Sequence, residues 1–155
     1  MTLPERQQAG RRPDIAPALF RLLAEAALSR AALDACGLPV ALADAAAPER
    51  PLSYVNQAFE AFFGYRAEEV IGRPVITLLF PEDEGAAIMF KDAPARLRMH
   101  ARRKNGAAAE VELSIGMVHG IDGRLTHWVL TFADRSEIAR MQEELRVLRA
   151  IAAAP

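Results

Sequence analysis

The stretch PLSYVNQAFEAFFGYRAEEVIGRP, residues 51–74, constrains the fold more than any other part of the chain. It opens on Leu52-Ser53-Tyr54-Val55, a short alternating run that suits a β-strand with one face toward a core. Asn56 follows directly, and an Asn side chain can accept from the free N–H groups of a first helical turn. Ala58, Phe59, Phe62 and Phe63 then recur at helical spacing, and Gly64 suits the end of that helix. Ala67-Glu68-Glu69-Val70 announces a second short helix, stopped by Gly72 and Pro74.

The rest of the chain falls into place around this stretch. Residues 1–13 mix Gln, Arg, Pro and Gly and are expected to fray. From Pro17 to about Leu33 the composition is helical, with Leu19, Leu22, Leu23, Ala26 and Ala27 on one face that calls for cover by a sheet or a partner chain. Gly37-Leu38-Pro39 breaks that helix ahead of a first strand, Val40–Asp44, and 45–50 is a loop. Pro81-Glu82-Asp83-Glu84 reads as the acidic start of a helical turn. Three strands follow at 96–103, 109–119 and 125–133. Asn105-Gly106 joins the first two as a hairpin turn in which both residues tolerate positive φ, and Asp122-Gly123 joins the last two. In 109–119, Val111, Leu113, Ile115 and Met117 alternate with Glu110, Glu112, Ser114 and Gly116, which makes one face apolar.

The order of strand, Asn-capped helix, Gly-Tyr, acidic helix and Gly-Arg resembles the PAS family of sensor domains, and within it the flavin-binding LOV branch. Val75–Phe80 resembles the short helix that lines one side of the pocket in that family, and Asp134-Arg135-Ser136 resembles the Asp-x-Ser/Thr signature that closes many such domains. The resemblance implies an α+β PAS fold: a five-stranded antiparallel sheet with short helices on one face and flanking helices at both ends. Residues 1–33 would be an extension with a cap helix, 34–135 the PAS domain, and 136–155 a signalling helix. In the family the closing triplet joins sheet to signalling helix, so Asp134 and Ser136 become the coupling residues. Ile138, Met141, Leu145 and Leu148 follow at 3-4-3 spacing, the seam of a short coiled coil. Two heptads are too few to hold a dimer alone, so a homodimer would also use the amino-terminal helix or the sheet.

The LOV resemblance carries chemistry that can be compared position by position. LOV domains form a flavin adduct through the cysteine of a Gly-x-Asn-Cys-Arg-Phe-Leu-Gln motif. Aligned on Gly72-Arg73, Pro74 stands at the asparagine, Val75 at the cysteine, Ile76 at the phosphate-binding arginine and Leu79 at the glutamine. The two asparagines that hold the flavin ring fall on Ala101 and Val111, and the glutamine near the closing Asp falls on Phe132. Leaving several flavin hydrogen-bonding atoms unpaired would cost about 1–3 kcal/mol each. No cofactor is therefore expected. Haem is disfavoured too, because 75–92, where the family's ligand lies, contains no histidine, and His100, His119 and His127 read as surface residues. By alternation Val111, Leu113, Ile115, Trp128, Leu130 and Phe132 face inward, with Val75, Leu79, Met89 and Phe90 as wall residues. Either these side chains fill the core, or they leave a small apolar cavity for a fatty or aromatic metabolite with Trp128 as a stacking wall.

Other classes find little support. The 19 basic and 20 acidic side chains balance, so nothing favours nucleic acid or an anionic membrane. No apolar run is long enough to span a bilayer, and a cytoplasmic protein is expected. Cys36 is the only cysteine; it precedes the first strand and reads as buried filler rather than a thiol site. No phosphate-binding glycine loop, metal-ligand spacing or nucleophile elbow is present, and the 137–151 helix lacks a phosphoacceptor histidine. The expectation is a sensory or protein-interaction module that is not an enzyme, working as a homodimer and on a protein effector.

Overall fold

The computed structural model describes residues 15–83, 85–91 and 93–154, without the side chains of 15–23, 26, 87 and 88. The chain divides after Ala35 into two compact units. The described part of the first is a single helix, α1 (Ile15–Ala35). Of its expected apolar face, Ala27 is exposed, and the side chains of Leu19, Leu22, Leu23 and Ala26 lie outside the described residues.

The second unit is built on five antiparallel strands: β1 (Val40–Asp44), β2 (Leu52–Val55), β3 (Ala95–Arg102), β4 (Ala108–His119) and β5 (Leu125–Asp134). Their spatial order is β2-β1-β5-β4-β3. The long β4–β5 pairing sets Leu113 opposite Phe132 and Ile115 opposite Leu130, so their apolar faces coincide. Between β2 and β3 the chain makes three short helices, α2 (Gln57–Phe63), α3 (Ala67–Val70) and α4 (Val75–Leu79), then a 3-10 turn at Ala86–Phe90. These pieces bury Phe59, Phe63, Val70, Val75, Leu78, Leu79, Met89 and Phe90 in one core with the sheet residues. This is the α+β, five-stranded PAS fold with flanking helices.

Asn56 explains why α2 starts where it does. Its Oδ1 accepts from Phe59 N at 3.0 Å, capping the helix, and from Val40 N at 2.9 Å, while its Nδ2 donates to Leu38 O at 2.9 Å. One side chain thereby joins β1, the segment before it and α2. At the other end Gly64 takes φ 81°, a left-handed conformation that costs a residue with a Cβ, and its N–H donates to Glu60 O at 2.9 Å.

Several local expectations need correction. The β3–β4 connection is a three-residue loop, Lys104-Asn105-Gly106, with Gly106 N donating to Arg103 O and Arg103 N to Ala107 O, both at 2.9 Å. Only its Gly is left-handed, at φ 86°; Asn105 instead accepts from Ala107 N through Oδ1 at 2.9 Å. The β4–β5 connection repeats this arrangement, with Gly123 at φ 80° and Asp122 Oδ1 accepting from Arg124 N. The acidic stretch after Phe80 does not begin a helix: Asp83 Oδ1 accepts from Gly85 N at 3.0 Å, which makes a turn, and helical structure resumes only at Ala86. Cys36 is exposed rather than buried, because it lies in the connector after α1, ahead of the first core strand.

Candidate sensory core and output junction

The residues expected to line a pocket converge on the inner face of the sheet. Ala101 on β3, Val111, Leu113 and Ile115 on β4, and Leu130 and Phe132 on β5 are all buried. Val75 and Leu79 from α4 and Met89 and Phe90 from the 3-10 turn are buried in the same cluster. Trp128 is half-buried at its margin, with its ring edge-on to Phe90 at 5.2 Å between centroids. Sequence reasoning did not anticipate the aromatic centre. Phe63 lies 4.6 Å from Phe59 and 5.1 Å from Phe132, so helix α2 inserts its rings against β5. Burial of each such ring is worth roughly 1.5–3 kcal/mol.

Polar groups are scarce in this core. Among the described residues Asn56 is the buried polar side chain, and its oxygen and nitrogen serve backbone groups. Hollows open at the surface between the end of α2 and the β3–β4 turn, along β3 beside 80–85, where Ala101 forms part of the wall, and on the outer sheet face over Gly116. Val75, Leu79, Val111, Leu113, Leu130 and Phe132 border none of these three.

A second constellation, also absent from the sequence reading, stands above the Phe90–Trp128 pair. Arg50 places its guanidinium 4.5 Å from the Phe90 ring centroid. It does so from a strained turn, with Glu49 at φ 66° and Arg50 at φ 52°. At the opposite end Arg103 lies over Phe62 at 4.6 Å, Lys104 N donates to Phe63 O at 2.9 Å, and Lys104 Nζ donates to Glu69. The Lys104 hydrogen bond holds the Glu69 carboxyl below its ordinary range. The β3–β4 turn is thus pinned to α2 and α3.

The output junction begins at the last residue of β5. Asp134 Oδ1 accepts from Ser136 N at 2.9 Å, so the two expected coupling residues touch through one side chain and one amide. Arg135, which the motif left unassigned, makes the longer connections: its N–H donates to Glu110 O at 2.9 Å and its Nη1 to Glu112 Oε2 at 3.1 Å. The signal for Glu112 was its outward place in the alternating β4 sequence, but which cation it meets depends on where β5 ends. Helix α5 (Ser136–Ala153) leaves from this point with no buried residue. Ile138, Met141, Leu145 and Leu148 are all exposed along it.

His100 and His119 are exposed, and His127 is half-buried on the outer side, where its Nδ1 lies 3.1 Å from Thr126 Oγ1. Among the described residues no group of three or more His, Cys, Asp or Glu side chains could hold a metal ion, and no helix is long and apolar enough to cross a membrane.

Comparison with known proteins places this geometry. The chain is 30% identical over 128 residues to the bacterioopsin transcriptional activator of Halobacterium salinarum, covering 79% of this chain and 19% of that protein. It is 29% identical over 121 residues to a blue-light-activated histidine kinase of Brucella ovis, covering 74% of this chain and 25% of the kinase. The chain thus spans a fifth to a quarter of these relatives. Among solved structures, an RNA-binding light-oxygen-voltage receptor superposes with a TM-score of 0.70 at 28% identity, over 98% of this chain and 41% of the receptor. The Rhodobacter sphaeroides LOV protein shares the fold at a TM-score of 0.62 and 21% identity, over 70% of this chain and 65% of that one. The PAS fold matches residues 30–135, and the chain belongs to the PAS family, with LOV domains among its structural neighbours.

Proposed function

We propose that this chain is a signal-transduction module of LOV-like descent that works without LOV flavin photochemistry, as a homodimer that presents its flanking helices to a protein effector. The observation that carries the reading is the set Val75, Leu79, Ala101, Val111 and Phe132, which stand at positions aligned with flavin partners and are all buried and apolar, while Pro74 and Ile76, at two more such positions, are half-buried and equally without a polar side chain. A flavin ring in this core would lose its water without gaining side-chain partners, at about 1–3 kcal/mol per unpaired group. Asn56 offers no substitute, because its removal from Val40, Phe59 and Leu38 would orphan three backbone groups. The residues present therefore do not fit a flavin. The proposal includes no catalytic step in this chain, and it places the protein in the cytoplasm.

The output half of the proposal rests on α5. Its apolar stripe is uncovered in one chain, and it starts from a junction hydrogen-bonded to β4. A change in sheet or core packing that moves β4 against β5 would redirect the helix and whatever it engages.

A second reading, a sensor for an apolar small molecule, draws on the half-buried Trp128 and its contact with Phe90, a wall that a flat ligand could share. An absorption spectrum of the purified protein, before and after addition of flavin mononucleotide, separates these readings when paired with mass spectrometry of the denatured extract. The expected result is a colourless protein that takes up no flavin. A stoichiometric flavin band sinks the main reading, and a recurrent organic molecule in the extract favours the second.

A further inference from the structure

Strand β3 ends the sheet, and its hairpin with β4 fixes which of its backbone groups are left over. Arg103 N donates to Ala107 O, so, counting back by twos along the register, Ala101, Met99 and Leu97 turn their N–H and C=O groups toward β4. Those of Arg96, Arg98, His100 and Arg102 point the other way, and among the described residues they have no backbone partner. The side chains of these same four residues lie on the outer sheet face, so the free edge carries three arginines and a histidine at every second position. Leu97, Met99 and Ala101 face the core side. Two adjoining hollows run along the edge there, walled by Phe80, Asp83, Ala86 and Met89.

We propose that this edge takes an extended segment of the protein effector as a sixth strand, one in which acidic and apolar residues alternate; the inference rests on the effector reading above. The other side of β3 shows what such a strand looks like. On β4, Glu110 and Glu112 stand opposite His100 and Arg98, and Val111 and Leu113 opposite Met99 and Leu97. A strand on the free side meets the same side chains at the same alternation, its carboxylates beside the arginines and its apolar groups over the hollows. A carboxylate already crosses to this edge, since Glu82 ion-pairs with Arg102. Arg96, exposed opposite Ser114, makes no ion pair among the described residues. A second copy of β3 fits less well as occupant, because its arginines would line up against arginines.

The test uses the full chain and a fluorescein-labelled, end-capped peptide of alternating Glu and Val. Fluorescence anisotropy should show saturable binding that weakens about tenfold when Arg96→Glu and Arg98→Glu are combined, and a Lys-Val peptide should not bind. N-methylation of every second peptide nitrogen should abolish binding in one phase and spare it in the other, because a strand offers alternate N–H groups to its neighbour. That comparison leaves the protein unaltered, so no fold defect enters it. On binding, amide exchange should slow at 96, 98, 100 and 102 and stay unchanged at 97, 99 and 101, which β4 already holds. A peptide that does not bind, or that binds equally in both methylated phases, overturns the sixth strand. Either result leaves the effector reading to the α5 stripe, and that reading falls separately, to a flavin band in the absorption spectrum.

Discussion

Arg135 reaches back from the end of β5 to Glu112 on β4, with Nη1 donating to Oε2 at 3.1 Å, and both side chains are mostly shielded, at 20% and 30% exposure. The pair matters because α5 buries none of its own residues, so its direction depends on the few bonds at its origin. Arg98 is the cross-strand neighbour of Glu112 and can take over part of the charge when Arg135 is removed. Arg135→Ala should therefore lower stability by only about 1 kcal/mol, while amide exchange across 136–142 speeds up markedly. Urea titration with hydrogen exchange checks both; unchanged exchange would remove this pair from the coupling.

Asp134→Ala probes the neighbouring bond. The carboxylate takes the Ser136 amide, one of the free donors of the first helical turn. Losing this local bond, which lies one residue ahead of the N-cap Arg135, should cost about 1 kcal/mol at most, and the effect should stay in the first turn of α5. Asp134→Asn should retain most of the stability, because an amide oxygen can accept the same bond. Exchange at 136–139 distinguishes the two variants.

The contrast between these two residues shows what the sequence could reveal. Asp134 and Ser136 are two apart in the chain, and the bond between them is local. Glu112 and Arg135 are separated by a hairpin whose register decides their meeting. The same division runs through the molecule. Asn56 as a helix cap, Gly64 as a stop and the apolar face of β4 follow from local spacing. The Phe59–Phe63–Phe132 packing, Arg50 over Phe90 and Lys104 on Glu69 need the fold first. The turn after Phe80 is not legible in the sequence because acidic residues suit both a helix start and an Asp-capped turn, and the Gly85 N–H donates to the Asp83 carboxylate locally.

Asn56→Ala should be the most damaging polar substitution in the domain. It leaves the buried N–H groups of Val40 and Phe59 without their partner, and it takes the donor from the carbonyl of Leu38, which lies at the exposed edge of the core. With about 1 kcal/mol or more for each of the two buried amides, a loss of about 2 kcal/mol or more is expected. Asn56→Asp should be milder for the two amides but leaves Leu38 facing a carboxylate. Denaturant midpoints of the two variants give the order.

Phe132→Ala tests whether the core is filled. The ring is fully buried against Phe59 and Phe63, so its removal should cost about 3–5 kcal/mol and leave a dry apolar cavity. Xenon or benzene should then stabilise the variant and leave the parent chain unaffected. Equal stabilisation of the parent would reveal an apolar space already present, in line with the small-molecule reading.

The Glu69–Lys104 bond gives a pH dependence with a definite sign. The Lys104 hydrogen bond lowers the folded-state pKa of Glu69 below its unfolded value, so the contribution is present above the unfolded value and is lost as pH falls through the lowered one. The loss should act locally, because Glu69 ties α3 to the β3–β4 turn while the Lys104 N–H to Phe63 O bond is indifferent to pH. In a carboxyl NMR titration Glu69 should titrate below the ordinary glutamate range. Lys104→Met should move Glu69 upward. If Glu69 titrates alike in both chains, the turn is held by its backbone bond and the Arg103–Phe62 contact alone.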